Sequence, residues 1–400
     1  MEQRVDLIED FGGLDLTVDE PPHIQLVPDT LSVAMIGLRG IPARYGGVET
    51  VVQALSGALV DKGHDVTVYC WKYADEPAPS TFGAVKLRHL STWGESALGS
   101  FCHAVRSTID ASRRDYDVIH YHALGPGIAS LLGRLICRRS RIVVTVHGRD
   151  DQRAKWGPMV RSVLRFGVWV SAHVPHETVV VSRDLARDYS ENLRRETVVA
   201  PNAITPIPFK GPGRILAELG LDAQDYAVSV GRLVPEKAVH RLITTFGEYL
   251  PTKKLVLVGG GANNEYVAEL HDLAAGYENV IMAGRRYGDE LAELVHSAAM
   301  FVTGSDLEGL PTALLEAVMA DLPVVASDIA PHAEVLESDD LGHHLIPAAD
   351  SARFAAAVKE TFGDLVEARR SAAALSPRVR RRYCMQRAVD AHEQAYGLYA

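Results

Sequence analysis

From Leu31 to its end the chain alternates short apolar, β-branched runs with longer stretches of helical spacing, and it does so twice. That alternation folds as parallel sheet with helices on both faces, because a parallel neighbour is reached only through a long crossover. In the first half the runs are LSVAMIG from Leu31, VTVYC from Val66, VKLRHL from Val85, DVIHYH from Asp117, RIVVTVH from Arg141, TVVVS from Thr178 and TVVAPN from Thr197. Between the first two lies ETVVQALSGALVDKG, with acidic Glu49 where a helix dipole favours an anion and Gly63 where a helix closes. Residues 205–213, TPIPFKGPG, break the pattern as a linker, since prolines and glycines there forbid a continuous helix or central strand. It restarts with YAVSVG from Tyr226, KLVLVGG from Lys254, NVIMAG from Asn279, MFVTGS from Met300, PVVAS from Pro323 and HHLIP from His343. The expected fold is α/β: two Rossmann-like, doubly wound domains, residues 31–205 and 206–383, facing across a cleft. Ligands of such sheets bind beyond the carboxyl ends of the strands.

Composition narrows the class. With 41 basic and 51 acidic residues the net charge is −10, and 47% of the 400 residues are apolar, which excludes a disordered or fibrous chain. Residues 1–30 form an acidic extension with a lone Arg4, so the remainder is near neutral. No basic stripe exists to displace counterions from a nucleic acid. No apolar run reaches the roughly 18 to 20 residues of a membrane span, and the acidic start is the reverse of a signal peptide, so a cytoplasmic protein is expected. Cys70, Cys102, Cys137 and Cys384 form no CxxC pair and read as thiols of a reducing compartment.

Chemistry is expected just past strand ends. The loop of residues 37–49, GLRGIPARYGGVE, puts Gly46 and Gly47 at a helix entrance, where backbone can approach a phosphate; a tight βα turn would need the same glycines. His147 ends a very apolar strand, positioned to bond a polar ligand, although a single histidine is more often a capping or core residue. His120 and His122 share a sheet face with no third ligand evident, so no metal is assigned to them. In SVGRLVPEK, Arg232 follows a strand and Lys237 stands near the next helix start, where a cation costs roughly 0.3 to 1 kcal/mol unless an anion lies between. The two read as a diphosphate clamp, or as surface charges with Glu236 neutralising Lys237.

SDLEGLPTALLEAVMADLPVVAS, from Ser305, is the most specific stretch. With Pro311 in the first helical turn, the amides of Thr312, Ala313 and Leu314 are free donors for an anion. Glu308 precedes that helix, and Glu316, amid apolar neighbours, calls for specific hydrogen bonds. Asp115 and Asp117 match the DxD of metal-dependent sugar transferases but open a strand, which is turn chemistry. Gly259, Gly260 and Gly261 lack the rest of a dinucleotide fingerprint.

Together GLRGIPARYGG, TVHGRDDQRAKWG, VSRDLA, APNAI, SVGRLVPEK and EGLPTALLE resemble the family 4 retaining glycosyltransferases of GT-B fold over nearly all of residues 31–400, and the first two look like its rhamnosyltransferase-like branch. The resemblance implies that the first domain is the acceptor side and the second the nucleotide-sugar side, with residues 384–400 crossing back as a helix onto the first. It also implies that Arg232 and Lys237 bind a diphosphate, with Gly47 and the amides of Thr312 to Leu314 assisting. Glu316 would bond the ribose, Glu308 with the Gly309 and Leu310 backbone the donor sugar, and His147 the same sugar from the opposite domain. Gly284, Arg285 and Arg286 would hold the base. Ala203 and Ala238 stand where the family has glycine.

The expected reaction is retaining, metal-independent transfer of a hexose or deoxyhexose from a nucleotide sugar to a hydroxyl, without a cofactor. Cations and a helix terminus would stabilise the leaving diphosphate. A sugar-nucleotide epimerase, or a non-catalytic nucleotide-sugar-binding protein, are the other readings of the same architecture. The near-neutral body and acidic extension favour a soluble acceptor, a natural product or polysaccharide precursor. WGPMVRSVLRFGVWV, from Trp156, reads as a helix packed in the first domain, with Phe166, Trp169, Arg161 and Arg165 leaving membrane contact as the less favoured option.

Overall fold

The computed structural model describes residues 30–43, 46–73, 78–94, 97–153, 157–204, 208–261, 264–337 and 343–398. The acidic extension up to residue 29, Trp156 and residues 205–207 of the linker lie outside these. Eight strands form the first sheet: β1 (Ser32–Ile36), β2 (Asp65–Trp71), β3 (Thr81–Phe82), β4 (Val85–Leu90), β5 (Val118–His122), β6 (Arg141–Val146), β7 (Glu177–Val180) and β8 (Val198–Val199). They run in the order β3-β4-β2-β1-β5-β6-β7-β8, parallel throughout except that β3 is antiparallel to β4. β3 has no counterpart in the sequence reading, since two exposed residues carry no alternation to read.

The second sheet has six parallel strands in the order β11-β10-β9-β12-β13-β14: β9 (Tyr226–Val230), β10 (Lys254–Val258), β11 (Val280–Gly284), β12 (Met300–Thr303), β13 (Val324–Ser327) and β14 (His343–Ile346). Central strands of both sheets are buried on both faces, as their unbroken Val, Ile, Leu and Ala runs require. The last helix, Met385–Tyr396, returns to the first domain, where Val389, Ala395 and Tyr396 share a core with Val52 and Leu55 of the Gly47–Asp61 helix.

Strand order identifies the functional loops. Chain order reverses between β1 and β5 in the first sheet and between β9 and β12 in the second. At such a switch point the two loops diverge to opposite faces and leave a crevice at the carboxyl ends. The loop after β1 leads to Gly46 and Gly47, while the loops after β9 and β12 carry Arg232 and Glu308.

No helix among the described residues is long and apolar enough to cross a membrane. The Pro158–His173 helix buries Leu164, Gly167, Val168 and Val170 in the first domain. Its other face exposes Met159, Val163, Phe166 and Trp169, the last two stacked.

Ala238 begins the Val239–Tyr249 helix at φ 46, ψ 38, a left-handed conformation in which its Cβ is strained. Ala238→Gly is therefore expected to stabilise the protein by about 1 kcal/mol, read as a higher urea midpoint at unchanged m-value.

Candidate active site

The first-domain wall begins at the Gly47–Asp61 helix. Gly46 enters it in extended conformation, and a Cβ on Gly47 would meet open space. The Glu49 carboxylate folds back toward this helix start, Oε2 lying 3.3 Å from where a Gly46 Cβ would stand. Burial raises its pKa, opposed by backbone N–H groups and by the charges of Arg39 and, from the second domain, Arg232. The helix thus supplies its own anion at the terminus where a ligand anion was expected.

His147 follows β6, but its ring belongs to the interior. His122 Nδ1 lies 3.3 Å from His147 Nε2, and His147 Nδ1 and His122 Nε2 are buried without a partner among the described residues. His120 stacks beside His122 at 4.1 Å and bonds Thr145 Oγ1 (2.6 Å) and Tyr396 OH (2.9 Å), while His392 of the last helix closes the cluster. Burial lowers the pKa of all four, His147 to about 3 and His392 to about 4, so the cluster is neutral at physiological pH. Among the described residues no group of three or more His, Cys, Asp or Glu side chains could hold a metal ion. The His147 ring packs beside His122, and its backbone carbonyl faces Gly309 of the second domain.

In the second domain, a cavity at the carboxyl ends of β9, β10 and β12 is lined by Gly231, Arg232, Lys237 and Thr303. The Arg232 guanidinium has no hydrogen-bond or ion-pair partner among the described residues. It is open to solvent at the cleft mouth, yet desolvation by surrounding protein and the nearby Arg153 pull its pKa below the ordinary value. Lys237 stands in a 3₁₀ turn, Pro235–Lys237, and its Nζ meets Glu308 Oε1 at 2.5 Å. Glu308 also accepts from Ser305 Oγ at 2.7 Å. Burial would raise the Glu308 pKa, but the Lys237 charge and these hydrogen bonds outweigh it and hold it ionised. Glu308, and not Glu236, is therefore the partner of Lys237.

The helix after Glu308 runs Thr312–Met319, with Pro311 as its N-cap and not in its first turn. The Pro311 carbonyl accepts the Leu315 amide, so the helix starts one residue later than expected and the amides of Thr312, Ala313 and Leu314 remain outside its ladder. Glu316 follows in the second turn. Burial alone raises its pKa to about 7, and no partner reaches its carboxylate among the described residues. At the β11 end, Gly284 sits at φ +71 and Arg285 packs on Gly260, whereas Arg286 turns away to Glu218 and Glu290. Gly259 is explained by packing: a Cβ there would stand 1.8 Å from the Gly231 carbonyl. Asp117 bonds the Ser32 amide and hydroxyl at 2.7 Å, at the amino ends of the strands and away from the cleft.

The domains touch across the cleft. A Cβ on Gly309 would stand 1.9 Å from the His147 carbonyl oxygen, so only glycine fits the seam. Arg153 Nε of the first domain lies 3.6 Å from Glu236 Oε1 of the second. Its loop is braced by Arg149, which grips buried Asp151 with two nitrogens (2.9 and 3.1 Å) and also reaches Asp188. Sequence reasoning missed Arg153 and Glu236 as cleft residues, because each meets the other from the opposite domain. Charged residues in TVHGRDDQR, too polar for a core, were the available signal.

Residues 45–206 match the family described as Glycosyltransferase Family 4, and residues 215–374 the one described as Glycosyl transferases group 1. A GDP-mannose-dependent alpha-(1-6)-phosphatidylinositol monomannoside mannosyltransferase of Mycobacterium tuberculosis is 27% identical over 78% of this chain and 84% of its own. An alpha-maltose-1-phosphate synthase of the same organism is 28% identical over 85% and 92%. The fold is that of a sucrose-phosphate synthase from Thermosynechococcus elongatus (TM-score 0.78, 19% identity, 92% of this chain and 98% of that one). Anabaena HepE in complex with UDP and glucose superimposes with TM-score 0.73 at 17% identity over 91% and 98%.

The raised Glu316 pKa sets a stability slope. The folded state keeps a proton that the unfolded chain has lost, so stability falls as pH rises from about 4.5 to about 7, by roughly 1 to 3 kcal/mol in all. Denaturant titrations across this range should show Glu316→Gln flattening that slope and surpassing the wild type at pH 8.

Proposed function

Because the chain is a glycosyltransferase of GT-B fold, we propose that it moves a hexose or deoxyhexose from a nucleoside diphosphate sugar to a hydroxyl acceptor, with retention of anomeric configuration and without a metal ion. One observation carries this reading: the partnerless Arg232 guanidinium, Lys237 and the open start of the Thr312–Met319 helix converge at the switch point of the second sheet. Three positive sources at one crevice fit a diphosphate and supply the charge that other transferases take from a metal. The deoxyhexose option rests on the likeness of GLRGIPARYGG and TVHGRDDQRAKWG to the rhamnosyltransferase-like branch.

The donor lies with its base against Gly284 and Arg285 and its ribose on Glu316. Its sugar meets ionised Glu308, which accepts hydroxyl hydrogen bonds beside the Gly309 and Leu310 backbone, with the His147 carbonyl edge opposite. The bond between the anomeric carbon and the diphosphate oxygen breaks as Arg232, Lys237 and the amides take up the developing charge. The acceptor oxygen bonds to the same face, and its proton passes to the departing phosphate oxygen. Glu308 is held by Lys237 and Ser305 and is not free to act as the nucleophile of a two-carboxylate scheme. The narrow seam at Gly309 excludes water that would hydrolyse the donor.

A soluble acceptor follows from the near-neutral body of the chain. The exposed apolar face of the Pro158–His173 helix supports a second reading, a lipid-borne acceptor, which requires transfer into vesicles to exceed transfer to a soluble sugar.

The test is thermal-shift binding of UDP, GDP, dTDP and ADP, each with and without EDTA. One nucleotide should stabilise the protein by roughly 2.7 kcal/mol at 100 times its Kd, unaffected by EDTA and lost in Glu316→Ala. If none of the four shifts the wild type, the reading is wrong. A ribose-bound Glu316 must be ionised, so affinity should fall as pH drops below about 7, and calorimetry in two buffers should detect the released proton. Arg232→Ala is expected to lower turnover by about 100- to 1000-fold.

A further inference from the structure

Arg153 lies on the acceptor side, yet its charge is directed across the cleft. The loop that carries it follows β6 and is fixed by the Arg149–Asp151 pair inside the 3₁₀ turn Asp150–Gln152, with Asp151 itself buried. At the end of this turn Arg153 Nη2 binds Asp150 Oδ1 at 2.9 Å and Nε faces Glu236 at 3.6 Å. Its Nη1 has no partner among the described residues.

Glu236 is the unusual member. It is buried, and neither carboxylate oxygen makes a hydrogen bond among the described residues. A buried carboxylate so poorly satisfied needs cations nearby. Arg153 approaches it from one domain, and Arg232 feels its charge from the other. The Glu236 carbonyl also accepts the Asp306 amide at 2.9 Å, tying it to the loop that carries Glu308. Two arginines from opposite domains are thereby held near one carboxylate, despite their repulsion, at the crevice where a diphosphate is to bind. With Asp150 and Glu236 as counter-charges, the pair tolerates an empty cleft and gains most when an anion of higher charge arrives.

We propose that Arg153 is a donor-binding residue supplied by the acceptor domain, contacting the diphosphate beside Arg232, and that Glu236 holds it there. This rests on the nucleotide-sugar reading above. It gives closure a direct cause, since the donor's phosphates then bind groups of both domains.

The test takes whichever of UDP, GDP, dTDP and ADP the wild type prefers and compares affinities of that diphosphate, its monophosphate and its nucleoside by calorimetry for wild type, Arg153→Ala, Arg153→Lys and Glu236→Gln. Arg153→Ala is expected to lose tenfold or more in affinity for the preferred diphosphate, while its nucleoside affinity stays within twofold. Arg153→Lys should recover part of that loss, and Glu236→Gln should show a smaller loss of the same selectivity. A purely structural bridge would instead weaken diphosphate, monophosphate and nucleoside alike, and that result overturns the proposal. So does unchanged diphosphate affinity in Arg153→Ala. If Arg153→Ala fails to fold, Arg153→Lys and Glu236→Gln decide, and equal diphosphate affinity in both overturns it. Wild type that binds none of UDP, GDP, dTDP and ADP refutes the nucleotide-sugar reading itself, a result separable from any failure of Arg153.

Discussion

The architecture depends on one close approach, the backbone of Gly309 laid against the His147 carbonyl with no room for a Cβ between them. Each sheet alone ends in a shallow crevice at its switch point, open to water on one side. Bringing the loop after β12 onto the end of β6 sets Arg232 and Lys237 on one wall and the His147 backbone and Arg153 on the other. A slot of this kind lowers the local dielectric, which strengthens every charge interaction within it.

Those charges are arranged so that the cleft is stable without its ligand. Lys237 is neutralised by Glu308, Arg153 by Asp150 and Glu236, and the start of the Gly47–Asp61 helix by Glu49. Arg232 and the start of the Thr312–Met319 helix are left, and they define where an anion goes. Glu316 is the converse case, a carboxylate without a cation among the described residues, whose burial raises its pKa to about 7.

The sequence made the strands legible because central parallel strands are apolar on both faces, and all but the two-residue β3 lie where the apolar runs stand. Arg232, Lys237 and Glu308 stand out in the sequence because they lie between a strand end and the next helix, and Glu316 because it interrupts an apolar helix. Their pairing does not. Whether Lys237 meets Glu236 or Glu308 is decided by a 3₁₀ turn that sends neighbouring side chains in different directions. The packing of His147 against His122 joins neighbouring strands, a separation that spacing in the sequence does not encode. Pro311 likewise fits a first helical turn or an N-cap, and the backbone at ψ 89 chooses the cap.

The domains meet at a second contact. Glu334 of the second domain accepts the amides of Arg183 (2.9 Å) and Asp184 (3.4 Å), while Ser182 accepts that of Leu185. The first three N–H groups of the Arg183–Leu193 helix are thereby satisfied, two of them by the opposite domain. Arg382 binds the same carboxylate at 3.1 Å, beside Tyr383, whose carbonyl accepts the Ile204 amide at 3.3 Å. Ile204 and Tyr383 lie on the two chain segments that pass between the domains. Breaking the Glu334 contacts would strand two helix-terminal donors and a carboxylate, while parting Gly309 from His147 would cost van der Waals contact and leave buried Glu236 without Arg153.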